Sequence, residues 1–284
     1  MKNKLITRRN MLLGSAASFV ALEISMNSNP VFASNWPSKP ITVVIMYGAG
    51  GGTDTITRVL VDDMAKTTGW NIKAINKPGA VGGVATKYVA SQKDDGYTIL
   101  GAANYNKFVR VMGHMPANEK PWENWVFMQA ANSLASWSVR ADSPFKTFED
   151  VVKAAKAKPG SISISTSGTG GLWHELALLV SDAAGIKLKF VPYKGGKKAT
   201  LAGLQGETDI AGGGVHEHVS LIRSGKLRNL QQTGREDLNV DGINLKSIGN
   251  ILPSTKSFLP FGGCYNLIMH LSLIHISEPT RQFA

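Results

Sequence analysis

Residues 41–54 read Ile41-Thr-Val-Val-Ile-Met-Tyr-Gly-Ala-Gly-Gly-Gly-Thr-Asp54, an apolar run that ends in a glycine-rich loop. The first six residues form a continuous run of apolar and β-branched residues, which is typical of a strand covered on both faces. Beyond the glycines, apolar residues recur at helical spacing, at Ile56, Val59, Leu60 and Met64. Either Thr53 or Asp54 can cap that helix. The stretch therefore predicts a strand, a glycine loop and a helix, in that order.

The same order of elements recurs downstream. Residues 71–76 are predicted as a second strand, 77–83 as a loop, 84–91 as a helix and 97–100 as a third strand. A second set follows Pro144, with a capping box at Thr147–Asp150, strands at 161–165, 187–191, 208–211 and 227–230, and helices at 174–184 and 216–224. Alternating strands and helices predict an α/β fold of open parallel sheets with helices on both faces. Two such sets predict two lobes.

The lobe boundaries are predicted where this pattern turns irregular, near Ala135–Arg140 and Gln231–Glu236. The first lobe then comprises residues 34–137 and 234–270, and the second comprises 138–233. The short apolar run Tyr265–Met269 is predicted to return to the first lobe as a strand.

Composition excludes several classes of protein. Of the 284 residues, 43% are hydrophobic and 18% are charged, which excludes a disordered chain. The single cysteine, Cys264, excludes a disulfide scaffold. The formal net charge of +11 indicates an anionic partner, which could be nucleic acid, a membrane surface or an acidic small molecule.

The N-terminus has the features of a secretory signal peptide. A basic start is followed by a short apolar stretch and by Val31-Phe-Ala33, with small residues at the positions that precede cleavage. We therefore predict export to the periplasm and a mature chain that begins at Ser34. Residues Thr7–Leu12, which include Arg8 and Arg9, also resemble a twin-arginine signal, so both export routes stay open. Removing residues 1–33 takes away four basic residues and one acidic residue, which lowers the formal charge from +11 to +8.

The C-terminus contains a run that resembles the translation of a transposase sequencing adapter, Leu271-Ser-Leu-Ile-His-Ile-Ser-Glu-Pro-Thr-Arg281. We expect residues 271–284 to be an artefact joined to a truncated gene, and we leave them out of the fold prediction.

Two glycine loops occupy the position where ligands bind in α/β sheets, beyond the carboxyl ends of strands. They are Gly50–Asp54 in the first lobe and Thr166–Gly171 in the second. Glycines allow backbone N–H groups to approach a ligand closely, and a helix N-terminus adds partial positive charge. The two loops together predict a cleft that grips a ligand with an anionic group at each end. Among the basic residues, only Lys194 beside Gly195 is placed where it could meet that ligand.

Other chemistries find less support in the residues. Gly48-Ala-Gly50 begins like a dinucleotide-binding motif, but Thr53 occupies the final glycine position and Asn76 stands where a ribose-binding acid is expected. The sequences His216-Glu-His218 and His174-Glu175 suggest a metal site, yet no zinc-binding motif is present. No Gly-x-Ser-x-Gly motif marks a hydrolase, and no motif marks nucleic-acid binding. We therefore predict no catalytic residues, no metal, no cofactor and no nucleic-acid partner.

Eight motifs appear in the order that characterises one family. They are Trp36–Ile45, Gly50–Arg58, Asn76–Ala80, Asp95–Leu100, Lys158–Gly160, Gly168–His174, Val191–Gly196 and Gly225–Arg228. The chain resembles the substrate-binding proteins of tripartite tricarboxylate transporters, also called the Bug family, over residues 35–269. The resemblance implies a monomeric, two-lobed periplasmic binding protein of type 2 that closes on a carboxylate-bearing solute and delivers it to membrane transporter subunits.

The resemblance also implies which residues bind the solute. In that family the two loops hold a carboxylate largely through backbone groups and bridging waters. The matching residues here are Tyr47, Gly51, Gly52, Thr53 and Asp54 in the first loop, Thr166, Ser167, Gly168, Thr169, Gly170 and His174 in the second, and Tyr193 beyond them.

Three positions depart from the family pattern. Ala49 stands where proline is usual, Gly171 where serine is usual, and Trp173 replaces a small residue beside the histidine. These departures are expected to alter the ligand contacts and to narrow the pocket. Two alternatives stay open at this point: a solute sensor that signals to a membrane partner, and an exported hydrolase that uses His174 or His216.

Overall fold

The computed structural model describes residues 36–104, 113 and 125–271. The predicted signal peptide, and the predicted adapter-derived tail beyond its first residue, lie outside these ranges. The fold described below begins at Lys39. The helices of the described part are too short or too polar to cross a bilayer.

The first lobe is built on the strands β1 (Ile41–Ile45), β2 (Ile72–Asn76) and β3 (Asp95–Ala103). Strand β1 lies between β2 and β3 and is parallel to both. Two helices alternate with these strands, α1 (Gly52–Thr68) and α2 (Gly83–Ala90), and a 3₁₀ turn at Ala80–Gly82 precedes α2.

Helices cover both faces of this sheet, as the uninterrupted apolar run predicted. Ile41 and Val43 of β1 belong to a buried cluster with Val61 of α1. Val44 and Met46, whose side chains point to the opposite face, pack with Ala85 and Val89 of α2. Because successive strand residues face opposite sides, apolar residues on both sides of β1 allow both helices to pack on one strand.

The long strand β4 (Trp125–Arg140) and the final strand β11 (Gly262–Leu271) complete the first lobe. Strand β11 runs antiparallel between β3 and the first part of β4. The sequence correctly predicted that Tyr265–Met269 returns as a strand. Residues 135–140, where the sequence pattern turns irregular, form the second half of β4. The expectation of parallel sheets was wrong for β4 and β11, which pair antiparallel.

The second lobe contains strands β5 (Ser163–Thr166), β6 (Lys189–Pro192), β7 (Ile210–Gly214) and β8 (Leu227–Gln232). The second half of β4 pairs antiparallel with β7 on one side and β8 on the other, while β5 joins β7 to β6 in parallel. The strand order across both lobes is therefore β2-β1-β3-β11-β4-β7-β5-β6, with β8 beside β4. The predicted boundary after residue 137 falls inside β4 and stays a prediction.

The helices of the second lobe are α3 (Phe148–Ala157), α4 (Leu172–Ala183), α5 (Gly196–Gln205) and α6 (Val215–Arg223). Helix α3 begins at the predicted capping box, in which the Thr147 hydroxyl accepts from the Asp150 N–H and the Asp150 carboxylate accepts from the Thr147 N–H. The lobe's core centres on Trp137 and Val139 of β4, packed with Phe148, Val151 and Ile164. A small hairpin, β9 (Leu238–Val240) with β10 (Ile243–Leu245), and the short helix α7 (Ile248–Ile251) follow β8.

Helix α5, which the sequence did not predict, packs very closely on β7 through Gly203. A Cβ atom at this glycine would lie 2.5 Å from Cβ and 2.7 Å from Cα of Ala211. This contact determines how near α5 lies to the sheet, and therefore where its N-terminal residues Gly195 and Gly196 are placed.

We predict that Gly203→Val lowers the free energy of unfolding by about 2 kcal/mol or more, because the added methyl groups must displace backbone of β7. Urea denaturation measures the effect. Leu201→Val is the matched control, since it introduces the same residue on the same helix at a side chain that is 38% exposed. Equal stability losses in the two variants would contradict the close packing of α5.

Candidate functional site

The first glycine loop connects β1 to α1 and is held in shape by Asp54. Its Oδ2 accepts from the Gly50 N–H at 2.8 Å, and its Oδ1 accepts from Asn76 Nδ2 at 2.8 Å and Arg58 Nε at 2.9 Å. Asn76 also donates to the Tyr47 carbonyl at 2.9 Å. Burial acts to raise the pKa of Asp54, but these hydrogen bonds and the Arg58 charge outweigh it and lower the pKa. Asp54 therefore acts on the loop's conformation.

The second glycine loop connects β5 to α4. Its fold depends on His174, whose Nδ1 accepts from the Gly170 N–H at 2.9 Å. Burial lowers the pKa of His174, which favours the neutral ring that this acceptor role requires. Thr166 is fully buried at the end of β5, and its hydroxyl has no hydrogen-bond partner in the described part of the chain.

A third loop, between β6 and α5, reaches the first loop across the space between the lobes. A Cβ at Gly48 would lie 3.1 Å from the Lys194 carbonyl oxygen, and one at Gly50 would overlap the Lys197 side chain. The Tyr193 hydroxyl donates to Glu207 at 2.9 Å. The sequence had singled out Tyr193 and Lys194 in this loop, although it did not predict the helix that follows.

The main cavity, of about 460 Å³, lies where these three loops meet. Five of the predicted binding residues line it: Tyr47, Ser167, Gly168, Thr169 and Tyr193. Lys194 and Gly195 also line it, and so does the turn Pro78–Val81. A smaller cavity, of about 30 Å³, adjoins it through the shared residues Tyr47, Ser167 and Gly195, and the predicted residues Gly51 and Thr53 line that space.

The other predicted residues, Gly52, Asp54, Thr166, Gly170 and His174, line neither of these two cavities. Among them, Asp54 and His174 hold the loops through the hydrogen bonds described above. Their assignment as ligand contacts stays a prediction.

The turn Pro78–Val81 is a part of the cavity wall that the sequence interpretation treated as a loop and, up to Ala80, as a family motif, but not as a binding element. Ala80 and Val81 both have positive φ angles, of 48° and 51°, which side-chain-bearing residues adopt at an energetic cost. Backbone strain of this kind persists only where the surrounding structure maintains it, and it is often found at functional sites. The Pro78-Gly79 pair, which commonly marks a tight turn, was the available signal.

Helix α6 contributes an acid that the sequence interpretation considered only for metal binding. Glu217 Oε2 accepts from the Gly214 N–H of its own helix N-terminus at 2.9 Å. Its Oε1 accepts from the Gly52 N–H at 3.2 Å, at the N-terminus of α1 in the other lobe. The described residues include no group of three or more His, Cys, Asp or Glu that could hold a metal ion.

The two histidines beside Glu217 have different surroundings. His216 Nδ1 is 2.6 Å from the Ser133 hydroxyl, and its Nε2 is 3.4 Å from the Tyr265 hydroxyl. His218 is fully buried, with Nδ1 3.1 Å from both the Ser136 and the Ser138 hydroxyls of β4. His218 thus attaches α6, and with it Glu217, to the strand shared by both lobes.

We predict that acid weakens the fold partly through His218. Burial, together with the nearby His216, lowers the pKa of His218 to about 3, whereas an unfolded histidine titrates near about 6.5. Between these values the unfolded chain binds the additional proton, so stability falls as the pH decreases. Going from about pH 7 to about pH 5 should cost about 2 kcal/mol through this residue.

Urea denaturation at the two pH values measures this cost. His218→Gln, which retains a hydrogen-bonding group but does not titrate, should show a smaller pH dependence than the unchanged protein. Val151→Ala, a core truncation that removes no titratable group, is the control and should retain the full dependence. An unchanged pH dependence in His218→Gln would contradict the prediction.

Comparison with known proteins identifies relatives over most of the described chain. A family model for the tripartite tricarboxylate transporter family receptor matches residues 56–240. A UPF0065 protein from the gbd 5′ region of Cupriavidus necator is 31% identical over 233 residues, covering 78% of this chain and 68% of that protein. A second UPF0065 protein, from Agrobacterium vitis, is 30% identical over 68% of this chain, which spans only 57% of that relative's length.

Solved structures show the same fold. A periplasmic transporter protein has a TM-score of 0.74 and 25% identity, over 82% of this chain and 77% of its own. MatC from Rhodopseudomonas palustris, solved with bound malate, has a TM-score of 0.72 and 22% identity, over 83% of this chain and 79% of its own. These similarities confirm the two-lobed periplasmic binding protein fold predicted from the sequence.

Proposed function

The chain belongs to the tripartite tricarboxylate transporter receptor family, and we propose that it captures a carboxylate-bearing small molecule between its two lobes. The observation that carries this proposal is the main cavity, where the second glycine loop and Lys194 face the same space. The bound malate of MatC supports a carboxylate as the ligand class.

The chemistry of the cavity suits a carboxylate without suggesting turnover. Ser167 and Thr169 supply hydroxyl donors at the wall of the main cavity. Lys194, an exposed residue that lines the cavity, adds a positive charge beside it. We therefore propose binding and release, with no covalent step.

The proposed role also requires export and a membrane partner. We propose that residues 1–33 direct the chain to the periplasm and are removed after Ala33, and that the loaded protein then delivers its solute to transporter subunits. Contacts from loops of both lobes favour the closed arrangement when ligand is present, and a partner can recognise that arrangement.

We predict that a carboxylate ligand raises the melting temperature of the protein purified from the periplasm. A ligand that binds only the folded state adds about 2.7 kcal/mol of stability at about one hundred times its Kd. Differential scanning fluorimetry with a panel of mono-, di- and tricarboxylates, aromatic acids and amino acids tests this. The absence of a shift with every member of the panel would contradict the proposed function.

We predict that Lys194→Met weakens binding of the best ligand from that panel severalfold, because the ligand loses a partly screened positive charge at the cavity wall. Isothermal titration calorimetry measures the Kd. Lys198→Met is the matched control, since Lys198 is an exposed lysine four residues further along that does not line the cavity. An equal effect of the two variants would place the carboxylate elsewhere.

A further inference from the structure

The small cavity beside the main one has walls of an unusual composition. Three aromatic side chains line it, those of Tyr47, Trp173 and Tyr265, together with the carboxylate of Glu217. Its volume of about 30 Å³ has room for one group of about the size of a water molecule. A carboxylate in the wall of so small a space attracts a cation.

Glu217 brings a negative charge to this space. None of the ion pairs in the described part of the chain involves it. Its hydrogen bonds to the Gly52 and Gly214 N–H groups use one lone pair on each oxygen, so both oxygens can accept further bonds. A Cβ at Gly196 would lie 2.1 Å from Oε1, so the backbone of α5 also closes around the carboxylate.

The hydrogen bond between Gly52 and Glu217 changes what the first glycine loop can bind. A helix N-terminus with exposed N–H groups is ordinarily an anion site, and the sequence predicted a ligand carboxylate there. The Gly52 N–H instead donates to the protein's own carboxylate. A second carboxylate brought to this position would meet Glu217 at close range and would be repelled.

The hydroxyl groups nearby do not offset the negative charge. Burial raises the pKa of both Tyr47 and Tyr265, and the Glu217 charge raises that of Tyr265 further, so both phenols stay neutral. Enclosure lowers the pKa of His216, which opposes a positive charge on that ring, although Glu217 acts in the other direction. Among the described lysines, Lys194 lines the main cavity, Lys197 lies beside Gly50 outside both cavities, and none lines the small one.

The two connected cavities therefore have opposite polarity, with Lys194 at the wall of the larger and Glu217 at the wall of the smaller. We propose that the solute is an amino acid, with its ammonium group in the small cavity against Glu217 and its carboxylate in the main cavity. This inference rests on the proposed function and narrows it, since a dicarboxylate would place its second anion against Glu217.

A set of ligands matched in length tests the proposal on the unchanged protein. Succinate, 4-aminobutanoate and butanoate have the same number of carbons and differ only in the group at one end. The corresponding three-, five- and six-carbon sets cover the distance between the two cavities. Isothermal titration calorimetry should show, at the best length, that the amino acid binds at least tenfold more tightly than the dicarboxylate or the simple acid.

Glu217→Gln removes the charge with little change in shape and should reduce the preference for the amino acid over the dicarboxylate at least tenfold. Glu149→Gln is the matched control, because Glu149 is also an acid in the first turn of a helix but is exposed and lines neither cavity. It should leave the preference unchanged.

The outcomes separate this inference from the proposed function. Tighter binding of dicarboxylates than of amino acids at every length would overturn the inference and leave the proposed function intact. No binding of any carboxylate would overturn both. A preference for the amino acid that persists in Glu217→Gln would overturn the role of Glu217. If that variant does not fold, the ranking of the ligands by the unchanged protein decides whether the solute is an amino acid.

Discussion

The backbone hydrogen bonds of β4 constrain the rest of this structure, because this one strand pairs in both lobes. Its first part pairs with β11, and its second part pairs with β7 and β8. The loops that follow β1, β5 and β6 are thereby brought towards one space. The buried serines of β4 also hold His218 of α6, so the strand that joins the lobes also positions the acid between them.

Much of this arrangement could be predicted from local sequence pattern. The uninterrupted apolar run of β1 predicted helices on both faces, and the capping box at Thr147 predicted the start of α3. The strand β4 was missed because Ser136 and Ser138, both fully buried, interrupt the apolar pattern that identifies a core strand. Helix α5 was missed because Gly196 and Gly203 weaken the helical pattern. Gly203 is explained by its contact with β7, which the spacing of residues in the sequence does not show.

The candidate site, too, could be predicted in part from local sequence pattern, while the rest depends on contacts between residues far apart in the chain. Local glycine patterns predicted two of the three loops that line the main cavity, and the family resemblance named Ser167, Gly168, Thr169 and Tyr193, which line it, as binding residues. The position of Glu217 depends on a contact with Gly52, 165 residues away. In the sequence an acid near the start of a helix indicates only favourable interaction with the helix dipole. The effect of Glu217 on the cavity arises because the fold places the N-terminus of a second helix, α1, beside it.

The net charge of the chain and the local charge at the cavity wall have different effects on binding. The chain's formal charge of +11 predicted an anionic partner, but a sum over the whole surface does not determine the sign of the field inside a cavity. Most of the lysines are solvated and screened beyond about 8–10 Å, whereas Glu217 lies within hydrogen-bond distance of two backbone N–H groups at the cavity wall. One carboxylate at that wall therefore has more influence on which end of a solute can enter than the positive charges distributed over the surface. The general charge can attract an anion to the protein, while the local charge selects the group that occupies the space between the lobes.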